Sequence, residues 1–178
     1  MRAIQAVYGS SRSAAYVSAE ATEDRFKREA PRFRVLHLAT HGVLDEASPL
    51  YSHVVLSPGA AQEDGLLEAW EIMRLRLDAD VVVLSACDTA RGRIAPGEGV
   101  IGMTWAMLAA GARSLVVSQW QVETSSTAAL MTGFHRGLAA DGPVRAESLR
   151  AASLAVLASP ERRHPFYWAG FILVGAPF

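Results

Sequence analysis

Val81-Val82-Val83-Leu84-Ser85-Ala86-Cys87 is the most apolar run in the chain, and the single cysteine stands at its carboxyl end. A continuous aliphatic run of this length predicts a strand buried on both faces, as in a parallel sheet, opening into a loop at the thiol. A second run, Val35-Leu36-His37-Leu38-Ala39-Thr40, ends in the same way at His41-Gly42. In open α/β sheets, reacting groups gather outside the carboxyl ends of the strands. Cys87 and His41 are therefore expected at one rim although 46 residues separate them, and a Cys/His hydrolase is the leading reading.

Composition narrows the alternatives. A chain of 178 residues, 51% hydrophobic and 20% charged, suffices for one sizeable core and is short for two, so one domain over residues 1–178 is expected. One cysteine makes no internal disulfide, and no Cys/His cluster has metal-ligand spacing. Cys87 with Asp88 and Glu98 is a poor donor set, so neither a metal nor a cofactor is expected. A reducing compartment fits. The apolar stretch in residues 1–9 is too short for a signal peptide, and no window approaches the run of ~18 apolar residues that a membrane span needs. A cytoplasmic protein with no membrane partner is the expectation. A net charge of −1 and a pI near 6.5 give no overall drive toward nucleic acid.

Outward from the two apolar runs, strands alternate with helical patterns. Residues 3–8 read as the tail of a helix and residues 14–18 as a weak strand. Residues 21–29 read as a short helix with Thr22 at its cap and Pro31 as its stop. Residues 53–57 suggest a side strand or hairpin. After Gly65, residues 66–75 follow the 3.6-residue period at 66, 69, 70 and 73 and predict a helix. Residues 91–97 read as a loop, and residues 100–110, apolar on every side and ending at Gly111, as a buried helix. A strand over 114–120, helices over 124–138 and 145–157, and a closing strand over 168–174 complete the chain. Strands separated by helix-length segments imply parallel βαβ crossovers and an α/β sandwich.

The chemistry needs a thiolate. A free thiol of pKa ~8.5 is only a few per cent ionised near neutrality, so an imidazole must take its proton, and His41 is the candidate. Gly42 lets a substrate approach the backbone closely, and its N–H and that of Cys87 are candidate donors to an oxyanion. Taken one at a time, the same residue types are ordinary: a cysteine packs as a small hydrophobe, and a strand-end histidine finds a hydrogen bond.

The ordered series His37-Leu38-Ala39-Thr40-His41-Gly42, Asp64-Gly65-Leu66-Leu67, Leu84-Ser85-Ala86-Cys87-Asp88-Thr89-Ala90 and Gly97-Glu98-Gly99-Val100 resembles the CHAT domain of caspase-like cysteine peptidases. Ala110-Gly111-Ala112, Trp120-Gln121-Val122, Phe134 and His164 through Phe171 continue the likeness, which spans about residues 14 to 176. The resemblance implies a caspase-like three-layer α/β sandwich with a mainly parallel central sheet flanked by helices. It implies a dyad of His41 and Cys87, cleavage of a protein or peptide substrate through a thioester, and a module attached to repeats such as TPRs. The likeness begins after the family's first strand, and this chain carries no TPR-like array.

The remaining residues have plainer readings. His37, four residues before His41, falls on the same face of a continuous strand, where it supports the dyad or simply packs. Asp88 and Glu98 are candidates to line a substrate cleft and select a basic side chain, and equally to cap backbone N–H groups. Gly97-Glu98-Gly99-Val100-Ile101-Gly102 spells a dinucleotide fingerprint, but it follows a loop and carries an acid where pyrophosphate would lie, so nucleotide binding is not expected. The four tryptophans are expected in the core. Two functions follow: a cysteine endopeptidase, or a non-cleaving regulatory module of the same fold that needs a partner or a further segment.

Overall fold

In a computed structural model of the chain, Val81–Leu84 forms a four-residue strand with every side chain buried, Val82 and Val83 completely so. The structure describes residues 1–45, 47–59, 62–85, 98–120, 122–140 and 144–177, without the side chains of 98–101. In chain order the helices are α1 (Arg2–Tyr8), α2 (Glu23–Glu29), α3 (Ala69–Ile72), α4 (Glu98–Ala109), α5 (Thr124–Ala139) and α6 (Arg145–Leu157). The strands are β1 (Val35–Leu38), β2 (Gly42–Val43), β3 (His53–Val55), β4 (Leu66–Glu68), β5 (Val81–Leu84), β6 (Ser114–Ser118) and β7 (Phe171–Gly175). The chain is thus mixed α/β, with a mostly parallel main sheet flanked by helices, as its alternating pattern predicts.

Residues 16–121 form one of two compact units. In it β5 lies between β1 and β6, parallel to both, with Val35 opposite Val81, Leu38 opposite Leu84, and Leu84 opposite Val117. Each fully buried Val or Leu of this ladder contributes about 1.5–3 kcal/mol of transfer free energy. The amino ends of the three strands are held by charge. Arg34 grips Asp80 through Nε and Nη2, both at 2.9 Å, and Arg113 Nη1 reaches the same carboxylate at 3.2 Å. A smaller antiparallel sheet, β2-β3-β4, hangs beside this ladder in the chain, joined to it through residues 39–41. At the end of α4, Gly111 takes φ 111°, and a Cβ there would stand 2.2 Å from the Leu77 carbonyl oxygen, so the turn requires glycine.

A cluster of ions joins α2 to the segment around β4 and α3. Lys27 Nζ lies 2.6 Å from Glu23, 2.7 Å from Glu63 and 2.7 Å from Glu71. Glu23 is buried and also accepts the Gly65 N–H at 3.0 Å. Burial alone would lower the Lys27 ammonium, but the three carboxylates outweigh it and hold the group above its ordinary value. Burial pushes the Glu23 carboxyl up, opposed by its bond to Lys27.

Residues 1–15 and 122–178 form the second unit. Here α5 packs on α6 closely enough that a Cβ on Gly137 would sit 2.7 Å from Ser148 Oγ. Leu130, Met131 and Phe134 of α5 and Leu149 and Val156 of α6 are buried. The amino end of α5 is capped by Glu123, which accepts the N–H groups of Ser125 and Ser126 at 2.7 Å each. Those two bonds and the positive helix end hold the Glu123 carboxyl down at about 2. α1 is tied to α5 through Tyr8, whose hydroxyl lies 2.9 Å from Nδ1 of the buried His135. Burial raises the phenol to about 12 and lowers the imidazole to about 4, so a neutral ring and a protonated hydroxyl share this hydrogen bond.

Several expectations needed correcting. Residues 14–18 form no strand; Ser18, at φ 50°, opens a 3-10 turn over Ser18–Glu20 instead. The helix expected over 66–75 divides, because Leu66–Glu68 pairs with β3 and buries Leu67 between two half-buried neighbours. Helix begins only where the Glu68 and Glu71 side chains form a capping box, and it ends at Ile72. α4 is not buried all round: Met103, Ala106 and Met107 are buried, while Trp105 is 67% exposed, so it is not a core residue. Its uniform apolar composition hid that stripe. α1, the stop at Pro31, the bounds of α6 and the strand nature of β1, β5, β6 and β7 agree with the sequence reading.

Two stability measurements follow. Lys27→Met leaves the buried Glu23 without its cation and is expected to cost about 2–3 kcal/mol in urea unfolding, less than for a fully buried pair because the ammonium is partly solvated. A change within about 0.5 kcal/mol would mark the cluster as surface charge. For His135, the unfolded chain (pKa about 6.5) takes up a proton before the folded one. Its contribution is therefore complete above about pH 6.5 and lost as the pH falls toward about 4. Urea midpoints of the parent should drop more steeply across that window than those of His135→Phe; parallel curves would refute the assignment.

Candidate functional site

β1 and β5 end in register, at Leu38 and Leu84, and one further backbone bond, Ser85 N–H to the Leu38 carbonyl at 2.9 Å, extends the ladder. From this shared carboxyl edge the chain runs three residues to His41 and, on the neighbouring strand, three residues to Cys87. Cys87 and Asp88 lie outside the described residues, as do the loop over 91–97 and the Cys87 backbone N–H. Glu98 is the first residue of α4, and its side chain lies outside the description.

His41 is exposed, yet its backbone is fixed. Its carbonyl accepts the Val55 N–H at 2.8 Å, and the preceding Thr40 hydroxyl donates to the Val55 carbonyl. The loop that carries the imidazole is thus stitched to β3 on both sides of the same residue. Because β1 ends at Leu38, the four-residue spacing of His37 and His41 does not put them on one strand face, contrary to expectation. The strand stops there because residues 40 and 41 take their partner from the small antiparallel sheet instead.

Gly42 is buried and stands opposite Val54. In antiparallel ladders hydrogen-bonded pairs alternate with non-bonded ones. With His41 and Val55 bonded, Gly42 and Val54 form a non-bonded pair, and the Gly42 N–H points to the side of β2 opposite β3. β2 is the edge of its sheet, so that side carries no strand of the small sheet. An amide so directed can donate to an incoming acceptor.

His37 is half-buried on β1, with Nε2 3.1 Å from Ser85 Oγ. Ser85 and Thr40 did not stand out in the sequence. The signal for Ser85 was its place as the first polar residue after four buried aliphatics, two positions beyond Val83, the partner of His37. The other histidines have local structural bonds: His53 Nδ1 lies 2.9 Å from the Tyr51 carbonyl, and His164 Nδ1 accepts the Phe166 N–H at 3.2 Å. Among the described residues, Glu23, Glu63 and Glu71 bring carboxylate oxygens within 4.8 Å of one another, but the Lys27 ammonium lies among them. That arrangement is an ion cluster satisfied by lysine. Among the same residues, no helix is long and apolar enough to cross a membrane.

Comparison with known proteins places these features. Tetratricopeptide repeat protein 28 of Mus musculus is 34% identical over 134 residues, 75% of this chain and 5% of that protein. The Homo sapiens protein of the same name is 33% identical over 111 residues, 62% of this chain and 4% of that one. The chain therefore spans only a small fraction of the length of the curated relatives it matches. Residues 1–176 match the family described as CHAT domain, and the chain belongs to that caspase-like family.

Proposed function

We propose that this chain is a cysteine endopeptidase domain with His41 and Cys87 as its dyad. The support is the common register of β1 and β5: two strands that end side by side, about 4.8 Å apart, each continue for three residues, one to the imidazole and the other to the thiol. His41 takes the thiol proton, and the thiolate adds to the scissile carbonyl carbon. The N–H groups of Gly42 and Cys87 hold the resulting oxyanion. Collapse of the tetrahedral adduct breaks the C–N bond, His41 gives its proton to the departing amine, and a thioester remains. Water, giving its proton to His41, then adds to the thioester carbonyl and releases the acid and the thiol. Asp88 and Glu98 line the cleft and favour a basic side chain next to the cleaved bond.

Substrate is a protein or peptide, and thiolate chemistry suits a reducing cytoplasm. A second reading has one observation in its favour. The matched relatives are named for tetratricopeptide repeats, and this chain corresponds to a small part of each. In that reading the domain is a regulatory module, and a repeat partner or further segment governs whether it cleaves.

Cys87→Ala should abolish cleavage of a peptide library, and His41→Ala should lower kcat by at least about 100-fold, the scale of lost general-base catalysis. Correctly folded Cys87→Ala protein that cleaves as fast as the parent would refute the dyad. A parent that cleaves nothing but is labelled quickly, in a His41-dependent manner, by a thiol-reactive peptide favours the regulated module.

A further inference from the structure

The last side-chain link between β1 and β5 before the two strands part into their loops is polar. His37 Nε2 and Ser85 Oγ meet at 3.1 Å across the ladder, diagonally, since Val83 is the direct partner of His37. Every side chain of β5 before this point is buried and aliphatic, so earlier on the strand the directional bonds come from the backbone ladder and none from side chains. Ser85 is in fact held twice, by its side chain to His37 and by its backbone N–H to Leu38. On the other loop, Thr40 and His41 are held to Val55. The segments that lead to the two reactive side chains are therefore joined by a side-chain bond, His37 to Ser85, four residues before His41 and two before Cys87.

We propose that Ser85 and His37 form a positioning clamp that sets how far the Cys87 thiol stands from the His41 imidazole. The proposal rests on the dyad reading above. Neither residue touches substrate; each acts through the loop it anchors. The backbone ladder sets the register of the two strands, while aliphatic contacts, which are not directional, leave small freedom of twist at the end where the strands part. A hydrogen bond across the ladder removes that freedom where it matters, since proton transfer tolerates little error in the distance between donor and acceptor.

The chain has one cysteine, so alkylation by iodoacetamide reads Cys87 alone. In the intact chain, Ser85→Ala should slow alkylation near neutral pH roughly tenfold and move its pH profile toward that of an ordinary thiol, while Ser85→Thr, which keeps the hydroxyl, stays within about twofold of the parent. His37→Phe should slow it to the same extent, and adding Ser85→Ala to it should change nothing further. Alkylation of Ser85→Ala at the parent rate across the pH range overturns the clamp. If Ser85→Ala does not fold, His37→Phe carries the same test with the same two outcomes. If His41→Ala is alkylated as fast as the parent, the dyad reading fails instead. The clamp is then decided by the imidazole resonances of His41 in NMR spectra: a shift on Ser85→Ala sustains it, and unmoved resonances overturn it.

Discussion

The burial of β5 between two parallel neighbours is the constraint on which the rest of residues 16–121 depends. Four aliphatic side chains with no polar alternation can be satisfied only by cover on both faces, and the backbone bonds of such a strand can be completed only by partners on both edges. Once β1 and β6 supply those bonds in parallel, the register fixes which residues leave the sheet together. Leu38 and Leu84 end side by side, and whatever follows each of them is delivered to the same rim. A shift of one residue in that pairing would turn every β1 side chain to the opposite face and carry His37 away from Ser85.

The two rims of the ladder are built from different chemistry. At the amino rim, Arg34, Asp78, Asp80 and Arg113 form a charged lattice that is largely exposed, with a bidentate Arg34–Asp80 pair at its centre. Such pairs contribute little individually in water, yet they tie together the starts of three strands. At the carboxyl rim the bonds are between neutral groups or a histidine: Ser85 with His37, Thr40 with Val55, and the outward amide of Gly42. Among the described residues that rim has donors and an imidazole to offer a reacting group.

What was legible in the sequence follows the strength of the local signal. β5 and β6 were readable because unbroken aliphatic runs have few alternatives, and α6 because a helix-length segment rich in Ala, Leu, Arg and Glu lies between Pro143 and Pro160. β4 was missed because Leu66 and Leu67 also fit the start of a helical period; only pairing with β3, a partner eleven or more residues upstream, decides between the two. The exposure of Trp105 was missed for the opposite reason, since a helix apolar on all sides carries no information about which stripe will be covered. The cap at Glu123 was unreadable because glutamate is an uncommon capping residue beside Thr124, Ser125 and Ser126. At the rim, His41 and Gly42 were picked out by residue type, whereas Thr40 and Ser85 matter through bonds to chain-distant atoms that no local pattern encodes.

The central strand has a kinetic consequence. Its partners lie far away in sequence, Val35 for Val81 and Leu115 for Val82, so no hairpin can nucleate the ladder. Two long loops must close before the first parallel pair forms, and their entropy is lost before any contact compensates. A nascent chain released only as far as β5 therefore presents its stickiest segment, four aliphatics with the β6 edge open even once β1 has paired, until β6 has emerged. Slow, chaperone-sensitive maturation is built into this topology.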